Sequence, residues 1–164
     1  MKTRTLYSVL SFFLILSTLN LLAQTTKSSY TFEDEISVLR FEKLSIQQGL
    51  SQSTVRDICQ DKDGFMWFGT IDGLNKYDGY TFEVFKNLPE NPHSITENRA
   101  VKLFAGKDGE VWIGTSKGLN VFQPDYNQFV SFVHDPDNPN SISDNDIYDI
   151  VQDKFGHIWV ATNG

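Results

Sequence analysis

The chain has 164 residues, the length of one ordinary domain, and carries 14 basic and 21 acidic residues for a formal net charge of −7. A field of that sign repels phosphate polyanions and argues against nucleic acid as a partner. Cys59 is the single cysteine, which excludes an intramolecular disulfide and a thiol-based metal site. Its apolar neighbours predict a small buried side chain.

The first 23 residues have the pattern of a secretory signal peptide. A basic start with Lys2 and Arg4 precedes a mostly apolar stretch over 6–22, and the small Ala23 follows. An uncleaved membrane anchor is the alternative, but interrupting polar residues favour cleavage. Removal of residues 1–23 leaves 12 basic and 21 acidic residues, a formal net charge of −9. The polar stretch over 24–39 predicts a disordered leader.

The region beyond the leader contains an internal repeat. Its three copies read DGFMWFGTIDGLNKY (63–77), DGEVWIGTSKGLNVF (108–122) and FGHIWVAT (155–162). The tryptophans Trp67, Trp112 and Trp159 are spaced 45 and 47 residues apart. The connecting loops repeat as well, as LPENPHSI (88–95) and DPDNPNSI (135–142). A tandem period of this regularity predicts a chain built from equivalent structural units.

Each period contains four strand-like runs separated by turns, several of which are Asp-Gly, a strong hairpin signal. In the first period these runs are 54–60, 65–70, 74–77 and 81–86. The second run is apolar on both faces, which indicates a sheet with a neighbour on each side. We therefore predict an all-β fold, a β-propeller whose blades are four-stranded antiparallel meanders. The recurrent tryptophan is interpreted as a blade-packing residue rather than a ligand-stacking platform.

The predicted organisation follows the repeat. Blade 1 covers 49–93, blade 2 covers 94–140, and a partial blade 3 covers 141–164. Residues 40–48 are interpreted as a lone outer strand that closes the ring against the last blade. Propellers have about four to eight blades, so two blades and part of a third form an incomplete ring. We therefore expect the chain to be a fragment of a longer protein.

The repeats resemble those of the two-component regulator propeller family. The resemblance is carried by DGFMWFGTIDGLNKYDG, DGEVWIGTSKGLNVF and FGHIWVATNG and covers about 40–164. The opening FEKLSIQQGLSQSTVRDICQDKDG resembles the start of periplasmic sensors of hybrid two-component systems from Bacteroidetes-type bacteria. The resemblance implies an exported sensor, the periplasmic domain of a homodimeric inner-membrane histidine kinase, reaching the membrane through a downstream helix. Similar propellers also precede diguanylate cyclases, and known relatives often respond to oligosaccharides.

No residue pattern predicts a catalytic, cofactor-binding or metal site. The DKDG segment at 61–64 fails as a calcium loop, because Cys59 and Thr70 would take positions that require acids. The histidines are too scattered for zinc. Carboxylates are numerous, but glycoside hydrolysis requires two of them at a defined separation. Most of the acids are interpreted as turn or surface residues.

The predicted function is that of a non-catalytic, extracytoplasmic ligand-sensing propeller of a membrane-bound two-component histidine kinase. The predicted ligand is a small molecule or an oligosaccharide, because amides and hydroxyls suit sugar hydroxyls. The loops between blades share one end with the turns between second and third strands. The polar residues at that end are Asp72, Asn91, His93, Ser94, Lys117, Asn138 and Asn140. Turn capping explains the same residues, so the ligand-binding residues stay unknown.

Two alternatives to this function stay open at the level of sequence. One is an exported interaction or adhesion propeller with no signalling output. The other is a propeller-type carbohydrate-active enzyme, which the many carboxylates keep under consideration.

Overall fold

The computed structural model describes residues 40–164, and the signal peptide and leader predicted over 1–39 lie outside the described residues. This region forms ten strands in three antiparallel sheets. The first sheet contains β1 (Val55–Gln60), β2 (Met66–Thr70), β3 (Gly73–Tyr77) and β4 (Phe82–Phe85). The second contains β5 (Lys102–Ala105), β6 (Val111–Thr115), β7 (Gly118–Gln123) and β8 (Gln128–Phe132). The third contains β9 (Ile147–Gln152) and β10 (Ile158–Thr162).

Both four-stranded sheets are meanders in which the strands follow one another in chain order. Their registers are equivalent, since Trp67 pairs with Lys76 in the first sheet and Trp112 pairs with Val121 in the second. The strands predicted for the first period agree with the observed ones to within one residue at each end. The predicted all-β fold of four-stranded antiparallel blades is confirmed, and the described residues do not close a ring.

Within the described region, residues 40–48 contain a 3-10 helix, Ile46–Gln48, and no strand, and the strand that would close the ring against the last blade stays a prediction. Ser45 caps this helix. Its hydroxyl accepts a hydrogen bond from the Gln47 amide at 3.2 Å, and its own amide donates to Oε1 of Gln48 at 2.9 Å. Such a reciprocal capping box is satisfied locally, whereas an extended segment would need a sheet edge with which to pair.

Two of the three recurrent tryptophans fill the spaces between blades. Trp67 is fully buried, and its ring meets Phe122 of the second sheet edge-on at a centroid distance of 4.9 Å. Trp112 stacks on Phe132 at 6.0 Å in a second core cluster, which reaches the third sheet. Trp159 is 62% exposed, on a sheet face that no other described residues cover. The first two indoles therefore pack as predicted, by burial and offset ring contacts.

Small residues in the second strand of a blade let the start of the next blade approach it closely. A Cβ atom on Gly114 would lie 2.7 Å from Cγ2 of Ile147 in the third sheet, and one on Gly69 would lie 2.9 Å from the carbonyl oxygen of Ala100. The third blade carries Ala161 at the equivalent position. Close packing at native density leaves no room for a side chain at the first two positions.

A buried asparagine fastens the incoming chain to the second blade. Oδ1 of Asn120 accepts a hydrogen bond from the Thr96 amide at 3.0 Å, and its Nδ2 donates to the Thr96 hydroxyl at 3.0 Å and to the Ile113 carbonyl at 3.3 Å. The Thr96 hydroxyl also lies 2.9 Å from that of Thr115. The polar atoms of this buried group are thereby satisfied, as burial requires.

The first blade repeats the arrangement. Oδ1 of Asn75 accepts from the Ser51 amide at 2.8 Å, and the Ser51 hydroxyl lies 3.0 Å from that of Thr70. Ser143 and Thr162 form the same hydroxyl pair in the third sheet, at 2.7 Å. Each full period thus carries a hydroxyl residue, a threonine 19 residues later and an asparagine 24 residues after the first. We call this set the entry network.

Replacing Asn120 by alanine should destabilise the protein by about 2–4 kcal/mol, because the buried Thr96 amide and hydroxyl lose their partners and a cavity remains. Equilibrium unfolding in urea measures the change. The control is Asn138→Ala, whose side chain accepts a hydrogen bond only within an exposed turn. Equal unfolding midpoints for the two variants would contradict the role of the entry network.

The turn between the first and second strands carries an aspartate in two blades. Oδ2 of Asp61 accepts a hydrogen bond from the indole N–H of Trp67 at 2.7 Å. In the third sheet, Oδ2 of Asp153 accepts from the indole N–H of Trp159 at 3.1 Å. The carboxylate therefore satisfies the polar atom of a residue that is otherwise used for packing.

The second blade lacks this carboxylate. Gly106 stands at the equivalent position, and within the described residues the buried Nε1 of Trp112 has no hydrogen-bond partner. The backbone turn is unchanged, since the Gly106 amide donates to the Glu110 carbonyl at 2.8 Å, as in the first blade. A Cβ atom on Gly106 would lie 2.6 Å from Oε2 of Glu110, which is also buried without a partner. The Glu110 side chain thus occupies the room of the missing aspartate.

The double substitution Gly106→Asp, Glu110→Phe introduces the pair found in the first blade. We expect it to stabilise the protein by about 1–2 kcal/mol, because a buried N–H gains a charged acceptor and a buried carboxylate is removed. Urea unfolding measures the gain, with Glu110→Phe alone as the control. The explanation fails if the added aspartate gives no increment over that control.

Candidate functional site

One end of the blades presents side chains that the sheets do not use for packing. The register of the β1–β2 ladder shifts between Val55 and Asp57, so Arg56 is an extra residue in its strand. The β9–β10 ladder has the same irregularity and leaves Tyr148 unpaired. Counted from the tryptophan of each blade, Arg56, Val101 and Tyr148 occupy one repeat position. Bulges of this kind redirect side chains and are frequent beside binding sites.

These three positions open onto a single pocket of about 380 Å³. The pocket extends over the starts of β1 and β9, the segment before β5 and the turn between β6 and β7. Its lining residues are Arg56, Arg99, Val101, Ser116, Asp146, Ile147 and Tyr148. We call this cavity the end pocket. All three blades contribute to it, so its shape depends on how the blades are joined.

The end pocket contains two guanidinium groups. Neither Arg56 nor Arg99 forms an ion pair with any residue in 40–164. The neighbouring Glu97 is already engaged, because it accepts a hydrogen bond from Ser116 and pairs with Lys117 at 3.8 Å. The two arginines are therefore available to a ligand.

A tyrosine on the third blade completes the polar lining. Loss of solvation, followed by the charge of Asp146, raises the pKa of Tyr148 above its usual value. Its phenol is neutral at neutral pH, as phenols ordinarily are, and can both donate and accept a hydrogen bond. The end pocket thus combines two cations, one carboxylate and one neutral phenol.

Most of the loop residues that the sequence places at this end serve turns. Oδ1 of Asn91 accepts from the His93 amide, and Oδ1 of Asn138 accepts from the Asn140 amide, each at 3.0 Å. The Ser94 hydroxyl accepts from the Leu88 amide and lies within hydrogen-bond distance of two carbonyls of the same loop, either of which can accept its proton. Side chains in this geometry cap turns, so few of their hydrogen-bonding atoms are free to bind a ligand.

The remaining two loop residues are ion-paired, Asp72 with Lys86 at 2.7 Å and Lys117 with Glu97. Asn91, His93 and Ser94 border a separate pocket of about 280 Å³ between β4 and β8. The sequence interpretation did not single out Arg56, Arg99 or Tyr148. The sequence did contain a signal that could have found them: these positions carry different residues in the three repeats, whereas the positions around them recur.

The carboxylates near the turns are engaged with the backbone. Oδ1 of Asp61 accepts from the Phe65 amide at 2.9 Å, and Oδ1 of Asp78 accepts from the Thr81 amide at 2.7 Å. The Thr81 amide is the main cause that lowers the pKa of Asp78. In residues 40–164, no three side chains of His, Cys, Asp or Glu are grouped to hold a metal ion. The same stretch contains no helix with the length and apolarity needed to cross a membrane.

Cys59 packs against the core cluster that contains Trp67. Burial, followed by the charges of Asp57 and Asp61, raises the pKa of its thiol to about 12. The side chain is half-buried rather than fully buried. Because the thiolate is the nucleophile, this environment makes the thiol unreactive at neutral pH.

Iodoacetamide at pH 8 should therefore label the folded protein very slowly. At four pH units below the thiol pKa of about 12, only about one thiol in ten thousand is ionised. In urea the pKa returns toward its ordinary value and labelling should be rapid, which mass spectrometry can follow. Equal rates in the folded and unfolded protein would contradict the assigned environment.

The meander blades, the inter-blade tryptophans and the entry network define a β-propeller repeat protein. The sequence model of the two component regulator propeller matches residues 49–72 and 141–164. Two segments of the chain therefore match this repeat family, and the predicted resemblance to it is confirmed.

Two relatives extend this result. Histidine kinase P4 from Formosa agariphila is 54% identical over 56 residues, which are 34% of this chain and 4% of that protein. The crystal structure of the extracellular domain of the hybrid two component system BT3049 from B. thetaiotaomicron is 34% identical, with a TM-score of 0.68. That match covers 74% of this chain and 17% of the solved chain. The chain therefore spans only a small part of either relative.

Proposed function

We propose that this chain is part of the extracytoplasmic ligand-sensing propeller of a membrane-bound two-component histidine kinase. The observation that carries the proposal is the likeness to the BT3049 structure, an extracellular domain of a hybrid two component system that is 34% identical across 74% of this chain. The similarity to a histidine kinase over 56 residues supports a kinase as the signalling part of the whole protein. Export through the predicted signal peptide is part of this proposal.

The geometry supports ligand capture at the end of the blades. Trp67 and Trp112 are committed to packing between sheets, so the blade faces offer no pocket there. The end pocket combines hydrogen-bond donors and acceptors in a concave site, as small-molecule sites do. We assign it the role of sensing a small molecule or an oligosaccharide, and we assign no catalysis to this segment.

Signalling requires that the ligand bind two states of the receptor with different affinities. We take the proposed receptor to be a homodimer. In it, ligand binding changes how the propellers are arranged and thereby changes the activity of the kinase. An adhesion propeller would bind without this coupling. A glycoside hydrolase would need two carboxylates at a defined separation, whereas Asp146 is the one carboxylate among the residues that line the end pocket.

The natural polypeptide that contains this chain, reconstituted in membrane vesicles, should incorporate labelled phosphate from ATP on a histidine. Oligosaccharides presented on the extracytoplasmic side should change this incorporation about tenfold, equivalent to a coupling free energy of about 1.4 kcal/mol. A variant without the phosphoacceptor histidine is the control. Absence of phosphorylation under every condition would refute the kinase, and turnover of an oligosaccharide would favour the enzyme.

A further inference from the structure

The three repeats agree where side chains pack and differ where they line the end pocket. Trp67 recurs as tryptophan in every copy, and Thr70 recurs as threonine. The bulge position instead carries Arg, Val and Tyr in the three blades. Two residues earlier, the repeat carries Thr54, Arg99 and Asp146. Packing therefore does not dictate the residue type at these two positions.

The end pocket also holds positive charge in a chain whose formal net charge is −7. Arg56 and Arg99 belong to successive blades, both are exposed, and neither has an ion-pair partner within 40–164. Elsewhere in the described region, Lys86, Lys102 and Lys117 pair with carboxylates. Other lysines without a carboxylate partner are engaged differently: Lys62 and Lys107 donate to backbone carbonyls of the next blade, and Lys76 and Lys154 lie over aromatic rings. Two unpaired guanidinium groups at one pocket are the complement of an anionic group.

We propose that the end pocket binds an acidic saccharide, one that carries a carboxylate or sulfate group, through Arg56 and Arg99. This inference rests on the proposed sensing function and names its ligand class. A guanidinium group presents parallel N–H donors that match the oxygens of a carboxylate or a sulfate. The Tyr148 phenol and the Asp146 carboxylate suit the hydroxyl groups of the same sugar. A neutral sugar would leave both arginines without a counter-charge.

Calorimetry on the natural polypeptide with matched probes tests the ligand class. The probes are tetragalacturonate with its methyl ester, and a chondroitin sulfate tetrasaccharide with its desulfated, methyl-esterified form. We expect at least one acidic probe to bind about tenfold or more tightly than its neutral counterpart, with an affinity that falls as salt rises. Binding of none of the acidic probes, or equal binding of the neutral forms, would overturn the inference.

Substitutions test the two arginines. Arg56→Gln and Arg99→Gln should each weaken binding of the acidic probe by roughly tenfold or more, because each removes a charge-assisted hydrogen bond. Lys154→Gln removes the same charge from the turn between β9 and β10, at the other end of the blades, and should leave the affinity unchanged. Because all three side chains are exposed, thermal unfolding should be unaffected. Unchanged affinity in both arginine variants would place the ligand elsewhere.

The two proposals fail separately. If a neutral oligosaccharide stimulates phosphorylation and the arginine variants respond normally, the sensor function stands and the acidic ligand is wrong. If acidic probes bind through the arginines and the protein has no kinase activity, the ligand class stands and the signalling function is wrong.

Discussion

The entry network is the constraint on which the proposed ligand-binding end of this protein depends. The segments that connect blades are irregular, so no strand ladder holds them in place. In the second blade, Asn120 binds the incoming Thr96, while the amide of Gly118 donates to the carbonyl of the outgoing Asn145 at 2.8 Å. A buried amide group that lost these partners would carry its full desolvation cost. Both connecting segments are thereby held against one blade, and the end pocket forms between them.

The first strands of the three blades, β1, β5 and β9, are joined by charge as well as by packing. Asp57, Lys102 and Asp149 occupy one repeat position, and Nζ of Lys102 lies 3.2 Å from the first carboxylate and 3.3 Å from the second. Asp57 also accepts a hydrogen bond from the Leu103 amide, and its bond to Lys102 is the main cause that raises the pKa of that lysine. Each half-exposed pair is worth little by itself. The alternating signs nevertheless keep like charges from facing each other across the blade interfaces.

The sequence was sufficient for the elements whose signals are local. Asp-Gly turns and period-two apolar runs predicted the strands, and the recurrent tryptophan predicted the blade interface. The 3-10 helix at Ile46–Gln48 was missed because an extended strand was assumed where Ser45 and Gln48 make a capping box. The position of Arg56 was also missed. Its exposure to the end pocket depends on the register between β1 and β2, a long-range property that alternation along one strand does not report.

The repeat explains why a binding site can evolve at the blade ends without loss of the fold. The blade is held together by residues such as Trp67, Thr70 and Asn75, which pack in the core or form hydrogen bonds inside it. Neither Arg56 nor Arg99 takes part in this packing or hydrogen bonding. A ligand held by both arginines would bridge two adjacent blades. Its affinity would then depend on the spacing of those blades, which the contact of Trp67 with Phe122 helps to set. Any ligand that prefers one spacing shifts the population toward it, so a site made from two blades can convert binding into a change of blade geometry.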